Sequence, residues 1–264
     1  MSILKQSMAL IRASYAALLT QDCLLCAAES GTNLLCEACE RDLPRLPAAR
    51  CPRCALPTPL GEICGRCLSH PPHYDATTAL YRYAFPLDKL VQSFKYGHRL
   101  ALGGWFGQRL AELPERTDAD LIIPMPLHPL RLRERGFNQA GELARAFGKL
   151  RRIPVDTRSC RRIRHTLGQA DLPWRERARN VRGAFDCATD FSGRRLLLID
   201  DVMTTGASVD EMARTLKLHG AAQVNVVALA RALPPGQEAS GPFGGATGRS
   251  GIGADMTIEV RVSP

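Results

Sequence analysis

Leu196-Leu197-Leu198-Ile199-Asp200-Asp201-Val202-Met203-Thr204-Thr205-Gly206-Ala207-Ser208 is the stretch whose reading decides the fold. Residues 195–199 read as a strand whose last four residues, 196–199, form a short apolar run of the kind buried on both faces. Two carboxylates stand at its C-terminal end, and a turn of small and hydroxyl residues then opens a helix over 209–218, closed by Gly220. A further strand, 224–230, follows. Strand, helix, strand in this order argues for a parallel sheet covered by helices. Upstream, the same reading gives a strand at 76–84, helices at 87–96 and 101–113, a buried strand at 120–123 stopped by Pro124, and a helix at 138–150.

The turn itself carries chemistry. Gly206 and Ala207 leave backbone N–H groups accessible, Thr204, Thr205 and Ser208 add hydroxyl donors, and a helix N-terminus favours negative charge. A phosphate suits such a turn. Asp200 and Asp201 would repel a phosphate, so they point to sugar hydroxyls or Mg²⁺ instead. A phosphorylated sugar meets both demands, and open parallel sheets bind ligands at this end of their strands. The Gly-x4-Gly-Lys-Ser/Thr pattern of the P-loop, the competing phosphate motif, is absent.

Charge supports an anionic partner. The chain of 264 residues has a formal charge of +9, and residues 128–195 hold 17 Lys/Arg against 7 Asp/Glu. Within this stretch, 158–182 is too basic and irregular for a core element and reads as a long functional loop. Hydrophobic residues at 45% and charged residues at 23% exclude wholesale disorder.

Eight of the ten cysteines form four Cys-x-x-Cys pairs, Cys23/Cys26, Cys36/Cys39, Cys51/Cys54 and Cys64/Cys67. Nine residues separate Cys26 from Cys36, and nine again separate Cys54 from Cys64, which makes an internal repeat. Tetrahedral Zn²⁺ takes four thiolates from two such turns, so two structural zinc sites are expected. The repeat favours sequential pairing, and spacing leaves an interleaved arrangement open. Cys160 and Cys187 stand alone and read as packing residues, while His70 and His73 are linker residues.

No run of about 18 apolar residues exists, so no membrane span is expected. Residues 1–20 read as an amphipathic helix rather than a signal peptide, because Arg12 breaks the apolar run, and the protein reads as cytoplasmic. The expected domains are 1–72, a helix and double zinc ribbon; 73–232, the α/β domain; and 233–264, a Gly-rich tail in which 257–262 alternates like an edge strand.

The thirteen-residue string resembles the 5-phosphoribosyl-1-pyrophosphate (PRPP) motif of type I phosphoribosyltransferases. With it, in order, stand Phe94-Lys95-Tyr96-Gly97, Ile123-Pro124-Met125-Pro126-Leu127, Arg131, Arg135-Gly136-Phe137-Asn138-Gln139-Ala140, Thr166, Gln169, Arg177, Asn180-Val181 and Gly183-Ala184-Phe185. This set is similar to the ComF family, late-competence proteins with a zinc ribbon, often double, ahead of a type I phosphoribosyltransferase-like domain.

The resemblance implies that Asp200 and Asp201 hold the ribose hydroxyls, directly or through Mg²⁺, and act at the catalytic position. It implies that Thr204, Thr205, Gly206, Ala207 and Ser208 cradle the 5′-phosphate, that 125–131 is the pyrophosphate loop, and that 158–182 closes over the site. Thr204 stands where purine-salvage relatives carry a carboxylate used as a base, so binding of PRPP is better supported than transfer to a nucleobase. Implied partners are PRPP and other DNA-uptake proteins. A reading from a different class is single-stranded DNA handling by the basic loop, with Trp174 and Phe185 as stacking candidates, and a third is PRPP sensing without turnover.

Overall fold

The computed structural model describes residues 20–97, 99–113, 118–165 and 181–234. The N-terminal helix read at 1–20, except its last residue, the 257–262 strand, Trp174 and most of the basic loop lie outside the described residues. In chain order the first elements are α1 (Glu37–Arg41), α2 (Gly65–Ser69), β1 (Ala76–Arg82), α3 (Leu87–Tyr96), α4 (Ala101–Ala111), β2 (Leu121–Pro124), α5 (Pro129–Arg135) and α6 (Gln139–Arg151). They are followed by β3 (Cys160–Arg162), β4 (Phe185–Cys187), β5 (Arg195–Met203), α7 (Ala207–Leu218) and β6 (Gln223–Arg231).

Four strands form an all-parallel sheet in the order β1-β6-β5-β2, with helices on both faces. Side chains of β5 alternate between the two cores. Leu196 and Leu198 meet Val209, Met212 and Leu216 of α7, while Leu197 and Ile199 enter the core of Phe94, Phe106 and Phe147 from α3, α4 and α6.

Three elements depart from the sequence reading. β5 runs on to Met203, because β6 keeps pairing with it and Asp200 lies opposite Ala228, so both carboxylates sit within the ladder. The segment expected as a loop at 125–131 contains the start of α5, which His128 Nδ1 caps by accepting the Leu130 N–H at 3.3 Å and which ends at Gly136 in the left-handed region, φ +76. The start of the basic loop is a strand, β3, that pairs antiparallel with β4 just past the loop's end, with Cys160, Arg161 and Arg162 opposite Cys187, Asp186 and Phe185. Cys160 and Cys187 therefore do not stand alone: they are direct cross-strand neighbours with sulfurs 2.6 Å apart. Phe185 is buried, beneath the Arg162 guanidinium, and is no stacking platform for a base.

The cysteine repeat is a structural repeat. Ala27 and Ala55, each one residue past a Cys-x-x-Cys pair, have φ of +59 and +57 and donate N–H to Cys23 O and Cys51 O. Cys36 and Cys64 each sit at the N-cap of a five-residue helix, α1 and α2. The segment between the ribbons covers the edge of β1, where Leu46 N–H donates to Leu80 O and Arg82 N–H to Pro44 O. Ribbons and sheet thus belong to one compact unit that ends at Leu233.

Candidate functional site

The eight thiols gather as Cys23, Cys26, Cys36, Cys39 and as Cys51, Cys54, Cys64, Cys67, each set with all sulfurs within 4.8 Å of one another. Pairing is sequential. Cys26 and Cys36 sulfurs lie 3.7 Å apart, and Cys54 and Cys64 sulfurs 3.6 Å. A zinc tetrahedron with Zn–S bonds of about 2.3 Å has edges of about 3.8 Å, so both sets fit Zn²⁺. Burial works against ionisation of Cys51, but the N–H groups of Cys64, Cys54 and Arg53 outweigh it and bring its pKa down to about 7.

The second centre of chemistry is a cavity of about 760 Å³ at the C-terminal ends of the central strands. Asp200, Asp201, Thr204, Gly206 and Ser208 line one side of it. Thr205 and Ala207 do not: Thr205 is buried, and its hydroxyl accepts the Ala207 N–H at 3.2 Å. Gly206 is the N-cap of α7 with φ +82, a conformation that L side chains rarely adopt. A Cβ there would also lie 2.8 Å from the Met203 Cε and 3.3 Å from the Tyr74 hydroxyl.

The same cavity is lined by residues of the expected pyrophosphate loop, 125–131, and by motif residues without a separate role in the sequence reading. Lys95 and Tyr96 of α3, Met125 to His128, Arg131 and Arg135 of α5, and Asn138 to Ala140 all line the cavity. Asn138 Nδ2 donates to Met125 O at 3.1 Å, tying the start of α6 to the segment after β2. Arg135 donates to Gln139 Oε1 at 3.1 Å and lies over the Tyr96 ring.

Strand alternation sends the paired carboxylates to different partners. Asp201 follows Leu197 and Ile199 towards α3, where Lys95 Nζ lies 2.8 Å from its carboxylate, both side chains being largely buried. Burial acts to lower the Lys95 pKa, but the Asp201 charge outweighs it and the net displacement is upward. Asp200 turns towards the hairpin, where Arg162 lines the cavity. Desolvation and then the Asp201 charge push the Asp200 pKa up to about 7, against the pull of Lys95 and Arg162. At the mouth, the His128 and His165 rings lie 4.9 Å apart, and desolvation followed by the charges of His165 and Arg162 holds His128 below its ordinary range.

Sequence reasoning missed Lys95, Arg135 and Arg162 as cavity cations. Lys95 and Arg135 stood in the quoted motifs and Arg162 in the basic loop, but only the fold brings them beside the Asp pair.

Comparison with known proteins bears on the two modules. The double zinc ribbon domain model matches residues 15–68, and the phosphoribosyl transferase domain model matches residues 134–240. Competence protein F of Haemophilus influenzae is 32% identical over 215 residues, covering 76% of this chain and 91% of that protein. The chain belongs to the ComF family. Another similar ComF-like relative is the DNA utilization protein YhgH of Escherichia coli K12, 32% identical over 212 residues, 75% of this chain and 91% of that protein. Among solved structures, glutamine PRPP amidotransferase from B. subtilis aligns over 52% of the ComF chain and 30% of its own, with 19% identity and a TM-score of 0.35. No helix among the described residues of this ComF protein is long and apolar enough to cross a membrane.

Proposed function

We propose that this ComF protein binds PRPP in the cavity at the ends of β5 and β2, and that it does so in the handling of DNA taken up by the cell. The observation that carries the reading is the shared lining of one cavity: the carboxylates, the Gly206 turn and the cations Lys95, Arg131, Arg135 and Arg162. A 5′-phosphate suits the N-terminus of α7 with its hydroxyls, and the cations suit a pyrophosphate. The oxygen donors of Asp200 fit a sugar hydroxyl or Mg²⁺, which when bound with PRPP would offset pyrophosphate charge. Lys95 neutralises Asp201, which lowers the negative charge that the carboxylate pair would set against an anionic ligand.

The DNA part of the proposal is supported by the names of the relatives, a competence protein and a DNA utilization protein. Thr204, where a catalytic carboxylate would serve a purine, supports binding over transfer to a nucleobase.

Thermal unfolding tests the reading. At about 100 times its Kd a ligand stabilises by about 2.7 kcal/mol, which raises Tm by roughly 5–10 °C in a chain of this size. PRPP with Mg²⁺ should do so, and ribose 5-phosphate and pyrophosphate should each give a smaller rise and compete with it. A Tm unmoved by millimolar PRPP at every Mg²⁺ concentration contradicts the proposal.

A further inference from the structure

Met203, Thr204 and Thr205, three consecutive residues leading into Gly206, have their main-chain carbonyls held by arginines from outside the turn. Arg231, at the end of β6, is fully buried and donates to Met203 O at 2.9 Å, to Thr204 O, to Ala232 O at 2.8 Å and to Cys54 O at 2.8 Å. Arg66 of α2 donates to Thr205 O at 3.0 Å. Cys54 is a ligand of the second thiol cluster, and Arg66 lies between two others, Cys64 and Cys67.

Two consequences follow from geometry and charge. In a planar trans peptide the C=O and the next N–H point in opposite directions, so carbonyls drawn towards the ribbon turn the N–H groups of Thr204, Thr205 and Gly206 away from it. The arginines thereby set the polarity of the turn. All four Arg231 hydrogen bonds end on main-chain carbonyls, and a buried guanidinium needs a counter-charge. Four thiolates around one Zn²⁺ carry a net charge of about −2, and this charge stands beside Arg231 once the second site is filled. The first cluster has a different setting. It packs against the core of α3 and α4, and its neighbour Glu40 pairs with Arg109 at 3.0 Å.

We propose that the second zinc centre, acting through Arg231 and Arg66 as positioning residues, holds the 203–206 turn in its phosphate-accepting conformation, so that filling of this centre and ligand affinity are coupled. The inference rests on reading the turn as a phosphate site. It makes the ribbon a support for the ligand site rather than an independent appendage, and it gives the two zinc centres unequal roles.

The test measures amide hydrogen exchange over 203–208 and PRPP affinity by calorimetry, together with zinc content, in the full chain. Arg66 is exposed, so Arg66→Ala is expected to stay folded with zinc bound while exchange in the turn speeds up and PRPP affinity falls about three- to tenfold. Arg66→Lys should recover part of both. Cys64→Ser should lower PRPP affinity at least tenfold more than the matching Cys36→Ser, and Arg231→Met should reproduce it with zinc retained. If Cys64→Ser or Arg231→Met does not fold, Arg66→Ala decides alone. Turn exchange at the wild-type rate in folded Arg66→Ala overturns the inference, as does equal loss of affinity in the two cysteine variants. Faster turn exchange in a protein that never binds PRPP would refute the ligand assignment and leave the support in place.

Discussion

Asp200 and Asp201 are adjacent in sequence and line one cavity, but they face different partners. Asp201 is neutralised by Lys95 at 2.8 Å, whereas Asp200 is desolvated beside that pair and its pKa rises to about 7. Between the ordinary carboxylate value and about 7, the folded protein holds a proton that the unfolded chain has released. Ligand-free stability therefore falls as pH rises through that window and levels off above it. Asp200→Asn keeps the shape and removes the titration. It should raise Tm at pH 8 by several degrees, at about 2–4 °C per kcal/mol, and by clearly less at pH 5, where only the lower part of that window has been crossed. Unfolding scans of both proteins at the two pH values check this, and an equal difference at both would contradict it. The carboxylates and the Gly206 turn were legible in the sequence because their chemistry is contiguous along the chain. Lys95 and Arg231 were not, since each acquires its partner only when α3 or β6 packs.

Among the elements, those with a strong period came out of the sequence close to their observed bounds. α3 was read at 87–96 and is Leu87–Tyr96, and β6 was read at 224–230 and is Gln223–Arg231. The missed elements, α1, α2, β3, β4 and α5, are short and carry little pattern of their own. β3 is Cys-Arg-Arg, a strand only because β4 pairs with it. Its alternation nevertheless sorts two arginines. Arg161 points outward, 68% exposed and 3.5 Å from Asp186, whereas Arg162 lines the cavity. Arg162→Ala should weaken PRPP binding on the order of tenfold. Arg161→Ala should instead reduce the dependence of log affinity for single-stranded DNA on log salt by about 0.7, the value of one phosphate contact, with PRPP affinity within about twofold of wild type. Calorimetry with PRPP and DNA titrations at several salt concentrations separate the two, and an unchanged salt slope in Arg161→Ala removes this strand from any DNA contact.

For the molecule as a whole, the sequence showed two modules and the structure shows how they are joined. The nine-residue repeat favoured sequential thiol sets over an interleaved arrangement that spacing left open; the structure shows the sequential sets, and the backbone repeats along with them, Ala27 matching Ala55 and α1 matching α2. Bonds between the modules were not legible, because Leu46 to Leu80, Arg66 to Thr205 and Arg231 to Cys54 each join segments distant in the chain. Purified protein should hold about two Zn²⁺ per chain by elemental analysis, and one ion per chain would contradict the filling of both thiolate sets. The central claim is that the turn after β5 is a phosphoribosyl site, and Gly206 tests it most directly. Val at 206 would impose a β-branched side chain on φ +82 and place its Cβ 2.8 Å from Met203. Calorimetric titration of PRPP with and without Mg²⁺ should show binding to the wild type and none to folded Gly206→Val in either condition; normal binding to that variant, or none to the wild type, would contradict the account.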